Sequence, residues 1–158
     1  MTEKIRWGVI GSGGIARRRT IPEGIVPAEN ALLAAVYDIN ASVNMEVADL
    51  FGAKAASTLD ELLAGDLDAV YVASPVHLHY EQVLSCAEAG KAVLCEKPLG
   101  MTPDEAAKMV SVCSERGVVL GCAFMMRFHA QHQAALEMIR AGRLGAPVYG
   151  RAQLSCWY

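Results

Sequence analysis

The sequence has no long apolar run, no paired-cysteine motif and no large excess of charge of either sign. Although 53% of its 158 residues are hydrophobic, no apolar stretch approaches the ~18 residues that a membrane span requires. The net charge of −3 at pH 7 gives no electrostatic reason to expect a nucleic-acid partner. The composition therefore predicts a soluble protein that binds neither nucleic acid nor membrane.

The chain also lacks the signals of secretion. Residues 1–4 contain no apolar stretch of the kind that a signal peptide needs. The five cysteines are odd in number and form no C-x-x-C pair, which favours free, buried thiols in a reducing compartment. We therefore expect a cytoplasmic protein, long enough for one domain that buries about 70% of its unfolded surface.

A short apolar run at residues 5–10 leads directly into a glycine-rich stretch, which we interpret as a strand, a tight turn and a helix. Gly11 permits a sharp turn, Gly13 lets the backbone approach a pyrophosphate without a Cβ, and small Ala16 lets the helix pack closely. Amides at the helix N-terminus would hold the anion. On its own the pattern also fits an ordinary glycine-rich turn. The predicted pyrophosphate-binding residues are Gly11, Ser12, Gly13, Gly14, Ile15 and Ala16.

The second apolar run, residues 31–37, ends in Asp38, about 20 residues past the glycines, where a carboxylate can accept hydrogen bonds from an adenosine ribose. A carboxylate here favours NAD and makes NADP less favourable, because it repels a 2′-phosphate and neither Ile39 nor Asn40 can neutralise one. The basic cluster at residues 17–19 is the counterargument. We interpret it as a solvated helix face, with Arg17 close enough to the turn to assist a phosphate.

Strand and helix signals alternate along the rest of the chain. Six strands alternating with helices predict an α/β fold, a Rossmann-type doubly wound parallel sheet of order 3-2-1-4-5-6. Ligands in such sheets bind at the carboxyl ends of the strands. The remaining predicted strands are 53–56, 69–73, 92–95 and 118–124, and the predicted helices are 14–22, 41–51, a short one after Thr58, 79–89, 103–116 and 132–141.

Polar residues follow the fourth and fifth strands. Glu96, Lys97 and Pro98 stand at the tip of the fifth, and the Lys97–Pro98 bond is a candidate for the cis form. The pair Glu96 and Lys97 could also be only a solvated turn. Alternating histidines without acidic or cysteine partners make a weak metal site, so no metal is predicted. The other predicted cofactor-binding residues are Ser74, Pro75, His77 and His79 after the fourth strand, and Arg127 after the sixth.

Lys97 is the predicted catalytic residue. Oxidation of a secondary alcohol needs a hydride acceptor over the substrate carbon and a base for the hydroxyl proton. A lysine at the dry mouth of a sheet loses the solvation of its charge and can serve as that base or acid. Glu96 could orient its amine or bind the nicotinamide ribose.

The C-terminal residues 148–158 alternate between apolar and polar side chains, which predicts a half-buried strand. One such strand cannot cover its own apolar face, so we expect it to be the first strand of a missing α+β domain. The predicted domains are a Rossmann domain at 1–146 and the start of a substrate and oligomerisation domain at 147–158. The alternative is a naturally short protein whose last strand joins the parallel sheet.

Together these motifs resemble the N-terminal half of the glucose-fructose oxidoreductase, inositol dehydrogenase and rhizopine-catabolism (Gfo/Idh/MocA) family of NAD(P)-dependent oxidoreductases. The tripeptide at residues 96–98, roughly 80 residues after the glycine turn, is the most specific element. The resemblance implies a second, mostly antiparallel domain that carries substrate residues and often forms the oligomer interface. Val76 departs from the family, which usually has asparagine after the proline at this place.

The resemblance implies a dehydrogenase that transfers hydride between a nicotinamide cofactor and a sugar, cyclitol or related alcohol. It also implies a homo-oligomer whose full-length form binds the polyol or sugar substrate, while the 158 residues alone are expected to be inactive. The alternatives are a non-catalytic NAD-binding regulatory module and a glycine-loop methyltransferase. A methyltransferase has no reason for Glu96, Lys97 and Pro98, whereas a regulator cannot be separated from an enzyme on these residues.

Overall fold

The structure, a computed structural model, describes residues 3–153. Its centre is a six-stranded sheet in which every pairing is parallel and the strand order is β3-β2-β1-β4-β5-β6. The predicted doubly wound order is therefore confirmed. The strands are β1 Ile5–Ile10, β2 Ala31–Tyr37, β3 Lys54–Ala55, β4 Ala69–Val72, β5 Ala92–Cys95 and β6 Leu120–Cys122.

Helical segments connect consecutive strands and continue after β6. A π-helical segment follows β1, and its backbone departs from helical geometry at Gly14. The helical segments are the π-helical segment Ser12–Ile25, α1 Ala41–Phe51, α2 Leu59–Leu63, α3 His79–Glu88, α4 Pro103–Glu115 and α5 Ala130–Arg140, with 3₁₀ turns at Val76–Leu78 and Met125–Phe128.

Side-chain caps set the helix starts where the sequence predicted them. Asn40 Oδ1 accepts hydrogen bonds from the amides of Ser42 and Val43, at 3.1 and 3.2 Å, and begins α1. Thr102 Oγ1 accepts from the amide of Glu105 at 3.1 Å and begins α4. The Glu105 carboxylate reaches back to the amide of Met101 at 2.7 Å, one residue before the cap. Both arms satisfy amides that a helix start leaves unpaired.

The first helix is longer than predicted. It was expected to end at Pro22, but the π-helical segment continues to Ile25 with the proline inside it. Ile21 and Ile25 are both buried, on either side of the proline, so packing against the sheet keeps the chain helical there. The Val26 amide donates to the Ile21 carbonyl at 3.0 Å, a wider turn than that of an α-helix.

The C-terminal predictions need correction. The sixth strand covers only Leu120–Cys122 rather than 118–124, and the last helix begins at Ala130 rather than at residue 132. Residues 148–153 form no strand and are exposed, so the predicted strand does not form there, because no neighbouring strand pairs with it. Its remainder, 154–158, lies outside the described residues. The domain boundary at residue 146 stays a prediction.

The sheet separates two groups of buried residues. One face packs with α2, α3 and α4 around Val70 and Val72, and the other packs with the π-helical segment and α1 around Val9 and Tyr71. The chain divides into two compact units, Met1–Ala123 and Phe124–Tyr158, of which the first contains the whole sheet. Within residues 3–153, none of the helices combines the length and apolar character needed to cross a membrane.

Three of the four described cysteines are buried and all four are free, as predicted. Burial raises the pKa of the Cys86 and Cys95 thiols to about 12. Thiols of this kind are poor nucleophiles, so they serve as small apolar core residues. Cys156 lies outside the described residues.

Arg6 and Asp68 join β1 to the turn before β4, at the edge of the sheet opposite the strand tips. Arg6 donates to the Asp68 carboxylate from Nε at 3.0 Å, from Nη2 at 2.8 Å and from its backbone amide at 2.7 Å. These hydrogen bonds hold the pKa of Asp68 well below its usual range. A depressed pKa means that the carboxylate stabilises the fold above pH ~4 and that this contribution disappears as pH falls further.

We therefore predict that Asp68→Asn lowers the free energy of unfolding at pH 7, and that its difference from the wild type shrinks as the pH is lowered from 5 to 3. Urea denaturation at each pH measures this difference. Asp49→Asn, at an exposed position in α1, is the matched control and should show no such trend. A difference that stays constant with pH would show that charge is not the cause.

Candidate functional site

Five parallel strands end at one level of the sheet. Tyr37 pairs with Ile10, Ile10 with Val72, Val72 with Cys95, and Cys95 with Cys122. The residues that follow each strand therefore meet along one edge, as the fold predicts for a ligand site. Backbone hydrogen bonds continue past the strand ends, from Gly11 N to Tyr37 O at 2.8 Å and from Glu96 N to Val72 O at 2.9 Å.

Gly11 makes the sharp turn that the sequence predicted, and its backbone is left-handed there. Its φ is 76°, a region that side chains with a Cβ adopt only at a cost. A Cβ at this position would lie 2.6 Å from Ser74 N and 2.8 Å from Ser74 Cα, both backbone atoms. Glycine is needed here because the chain passes directly against the loop after β4.

Gly13 and Asp38 are joined directly. The Gly13 amide donates to Asp38 Oδ2 at 3.0 Å, and the Asn40 amide donates to Asp38 Oδ1 at 3.0 Å. The carboxylate is thus fixed at the end of β2 beside the glycine turn. A Cβ on Gly13 would lie 2.8 Å from Val43 Cγ1. An alanine would therefore press on α1 as well as on any ligand. The prediction considered only the approach of a ligand to Gly13 and not this contact with α1.

The glycine turn has features that fit a bound anion. Ser12 is fully buried, and its Oγ has no hydrogen-bond partner in the described part of the chain. Buried hydroxyls are normally paired, so an unpaired one at this turn leaves a donor for a ligand. Gly14 is exposed, and a Cβ there would meet nothing within 4 Å. Ile15 is half-buried, and Ala16 is fully buried beneath the turn as predicted.

The basic cluster at residues 17–19 is engaged within the protein. Both Nη atoms of Arg17 donate to the Glu46 carboxylate in α1, at 2.5 and 3.0 Å. Arg19 pairs with Glu23 one helical turn later, at 3.1 Å. Arg17 is therefore held against α1 by an acidic partner. The prediction that Arg17 assists a phosphate did not include this partner.

His79 links two loops of the candidate site. Its ring is 1% exposed, with Nε2 2.9 Å from the Ser74 carbonyl and Nδ1 3.0 Å from the Pro98 carbonyl. His79 thus lies between the ends of β4 and β5, with one ring nitrogen against a carbonyl oxygen from each loop. Ser74 Oγ donates to Gln82 Oε1 at 2.5 Å. Pro75 and His77 are exposed.

Glu96 points into the protein and Lys97 points out. Glu96 is 9% exposed; its Oε1 accepts from the Tyr71 hydroxyl at 2.7 Å and its Oε2 from the Lys97 amide at 3.1 Å. The carboxylate thus holds the backbone of Lys97 rather than its amine. The Lys97 side chain is exposed, so residues 3–153 alone do not provide the dry surroundings expected for it. The Lys97–Pro98 bond is cis, as predicted.

The sequence reading missed Tyr71 and Thr20. Tyr71 was counted only as part of a buried apolar strand, yet a buried phenol normally finds a hydrogen-bond partner, which is a signal that could have been used.

Arg127 lies in the 3₁₀ turn Met125–Phe128 of the second unit, where its carbonyl accepts from the Gln133 amide group. Among residues 3–153, no three His, Cys, Asp or Glu side chains converge to form a metal site.

Comparison with known proteins identifies the family. Residues 5–124 match the sequence model of the Gfo/Idh/MocA oxidoreductase family with an NAD-binding Rossmann fold. The chain therefore belongs to this family, as its motifs indicated.

Among its relatives, 1,5-anhydro-D-fructose reductase of Ensifer adhaerens is 40% identical over 92% of this chain and 44% of its own. Inositol 2-dehydrogenase 3 of Saccharopolyspora erythraea is 37% identical over 91% of this chain and 43% of its own. The chain thus spans less than half the length of these relatives. The relatives with named activities are dehydrogenases and reductases, which gives no support to a regulatory module.

Solved structures agree with this assignment. The 3-ketoreductase KijD10 of Actinomadura kijaniata, in complex with TDP-benzene and NADP, superposes with a TM-score of 0.82 at 34% identity, over 89% of this chain and 44% of its own. The WlbA dehydrogenase of Bordetella pertussis, in complex with NADH and UDP-GlcNAcA, superposes with a TM-score of 0.83 at 31% identity, over 90% and 41%. The two similar structures thus hold different nicotinamide cofactors.

Proposed function

We propose that this chain is the cofactor-binding half of a dehydrogenase or reductase that acts on a sugar, a cyclitol or a related alcohol, and that it prefers NAD(H). The observation that carries the proposal is the strand register, which brings the glycine turn, Asp38 and the Glu96–Lys97 pair to one edge of the sheet. A dinucleotide binds across the carboxyl ends of the strands in this fold. The cofactor, when bound, supplies the hydride acceptor or donor.

In this proposal the glycine turn and Ser12 hold the pyrophosphate, since the turn offers backbone amides and an unpaired buried hydroxyl. Asp38 accepts hydrogen bonds from the adenosine ribose, because Gly13 and Asn40 already fix its orientation. The nicotinamide end would be held by Ser74, Pro75 and His77 and by the Glu96–Lys97 tip. His79 keeps those two loops together through its contacts with carbonyl oxygens. Arg127 is included among the proposed cofactor-binding residues because of the family resemblance.

Lys97 is proposed as the acid or base. Its amine is exposed at the tip of β5, beside the place assigned to the nicotinamide, and its backbone is fixed by Glu96. It would take the hydroxyl proton when the alcohol is oxidised and return one when the ketone is reduced. Residues of a second domain would exclude water from Lys97 and so supply the dry surroundings that such a lysine needs.

Cofactor titration tests the proposal. We predict that NADH binds at least about tenfold more tightly than NADPH, because the Asp38 carboxylate repels a 2′-phosphate and Arg17 is paired with Glu46. Asp38→Asn should narrow this ratio mainly by improving NADPH binding, since the amide keeps an oxygen acceptor without the charge. Calorimetric titration of both cofactors on both proteins measures the ratio.

Glu46→Gln tests the part played by Arg17, because it weakens the hold on that side chain while leaving Asp38 intact. It should also narrow the ratio, by improving NADPH binding. Tighter binding of NADPH than of NADH by the wild type would contradict the proposed preference. Absence of binding for both cofactors would contradict the proposed function. The homo-oligomer, the cytoplasmic location and the absence of a nucleic-acid partner stay predictions from the sequence.

A further inference from the structure

A chain of hydrogen bonds runs from the π-helical segment to the strand tip that carries Lys97. Thr20 Oγ1 donates to the Tyr71 hydroxyl at 3.0 Å, and that hydroxyl donates to Glu96 Oε1 at 2.7 Å. The second carboxylate oxygen, Oε2, accepts from the Lys97 amide at 3.1 Å. Three side chains from the π-helical segment, β4 and the end of β5 thus act on one backbone position.

These groups are well shielded from water. Tyr71 is 1% exposed and Glu96 is 9% exposed. A carboxylate in such a place is costly unless it is hydrogen-bonded. Burial raises the pKa of Tyr71 well above its usual range, so the phenol keeps its proton and remains a donor to Glu96.

We propose that Tyr71, supported by Thr20, is a positioning residue. It holds the Glu96 carboxylate and, through it, the backbone of Lys97 in the orientation that receives the nicotinamide end of the cofactor. This inference rests on the proposed function. Tyr71 acts through Glu96 and does not itself touch the cofactor.

The Thr20–Tyr71 hydrogen bond connects two elements of the proposed cofactor site. Thr20 lies in the segment that begins with the glycine turn, whereas Glu96 and Lys97 lie two strands away from β1. The Thr20–Tyr71 hydrogen bond thus ties the element assigned to the pyrophosphate to the one assigned to the nicotinamide. A dinucleotide must reach both elements at once, so their spacing affects its binding.

The competing explanation is that the hydrogen bonds only stabilise the core. Thr20 and Tyr71 also line a cavity of about 250 Å³ on this face of the sheet. If water from that cavity can replace the phenol oxygen, removing it will not disturb Glu96. A test must therefore separate an effect on one end of the cofactor from a general loss of stability.

The experiment compares two ligands on Tyr71→Phe and the wild type. NADH carries the nicotinamide, whereas ADP-ribose carries the adenosine and pyrophosphate without it. The variant should bind NADH about tenfold more weakly, as the loss of a hydrogen bond to a charged group predicts, and ADP-ribose within about twofold of the wild type. A purely structural role would move both affinities together or neither.

Control variants sharpen the comparison. Thr20→Val removes the supporting hydroxyl and should weaken NADH binding by about threefold, less than Tyr71→Phe does, whereas Thr20→Ser restores it and should behave as the wild type. Tyr80→Phe, at a half-buried tyrosine packed against the opposite core group, should leave the affinities for both ligands unchanged. Melting temperatures of all variants are measured alongside. If Tyr71→Phe does not fold, the comparison of Thr20→Val with Thr20→Ser provides the test.

The outcomes are distinct. Weaker NADH binding with unchanged ADP-ribose binding supports the inference. Equal changes for the two ligands, or no change for either, overturn it while leaving the proposed function intact. Failure of the wild type to bind NADH overturns the proposed function, and the inference with it.

Discussion

Gly11→Ala is expected to lose a large part of the stability of the fold and with it the binding of NADH. Two costs add at this position. The left-handed backbone, with φ at 76°, costs a residue with a Cβ about 1–2 kcal/mol. The new methyl group would also lie 2.6 Å from the backbone nitrogen of Ser74, so the tips of β1 and β4 must separate. Overpacking of this kind costs about 1–3 kcal/mol.

The control is Gly52→Ala. Gly52 ends α1 with φ at 68°, nearly the same backbone conformation, but a Cβ there would meet nothing within 4 Å. It should therefore show the backbone cost alone. The free energies of unfolding of both variants, measured by urea denaturation, give the cost of the contact with Ser74 as their difference. Equal losses would show that the close approach of the β1 and β4 loops is not required.

The sequence predicted the sheet well because its order follows from local signals. The first, second and fifth strands are followed directly by a glycine or an acidic residue. The helices that lead to β3, β4, β5 and β6 each have a side-chain cap or a terminal glycine, such as Asn40 and Gly52 for α1. The positions of Gly11 and Asp38 followed from the same reasoning, because the turn chemistry allows few residue types.

The failures have a common physical cause. Pro22 signals a helix end locally, but buried Ile21 and Ile25 hold the chain against the sheet and override that signal. The period-two pattern at residues 148–153 predicts a strand, yet a strand needs a partner, and no pairing forms over those residues. In both cases contacts distant in sequence decide the local structure.

Side-chain partners within the candidate site were also beyond local reasoning. The pairing of Glu96 with Tyr71 joins residues that are adjacent only because β4 and β5 pair with Val72 opposite Cys95. The capture of Arg17 by Glu46 requires the crossing of the π-helical segment and α1. Residue types could suggest a carboxylate or a lysine at a strand tip, but not which way each side chain points.

The 158-residue chain is expected to bind NADH without catalysing turnover. Hydride transfer requires the alcohol carbon to be held within about 3.5 Å of the nicotinamide, and orientation of this kind contributes several orders of magnitude to the rate. Lys97 is exposed, and its side chain makes no hydrogen bond or ion pair with another described residue that could help to place a substrate. Acid–base assistance from one lysine contributes only roughly 10² to 10⁴.

The deciding assay follows NADH formation from NAD with a panel of cyclitols, aldoses and sugar acids, using the 158-residue chain and its Lys97→Ala variant. Both should show no turnover above the background without protein, while both bind NADH with affinities within a few-fold of each other. The binding measurement is the control that the variant is folded. Turnover by the wild type that disappears in Lys97→Ala would mean that these residues alone position the substrate, and that Lys97 needs no further domain to act as the base.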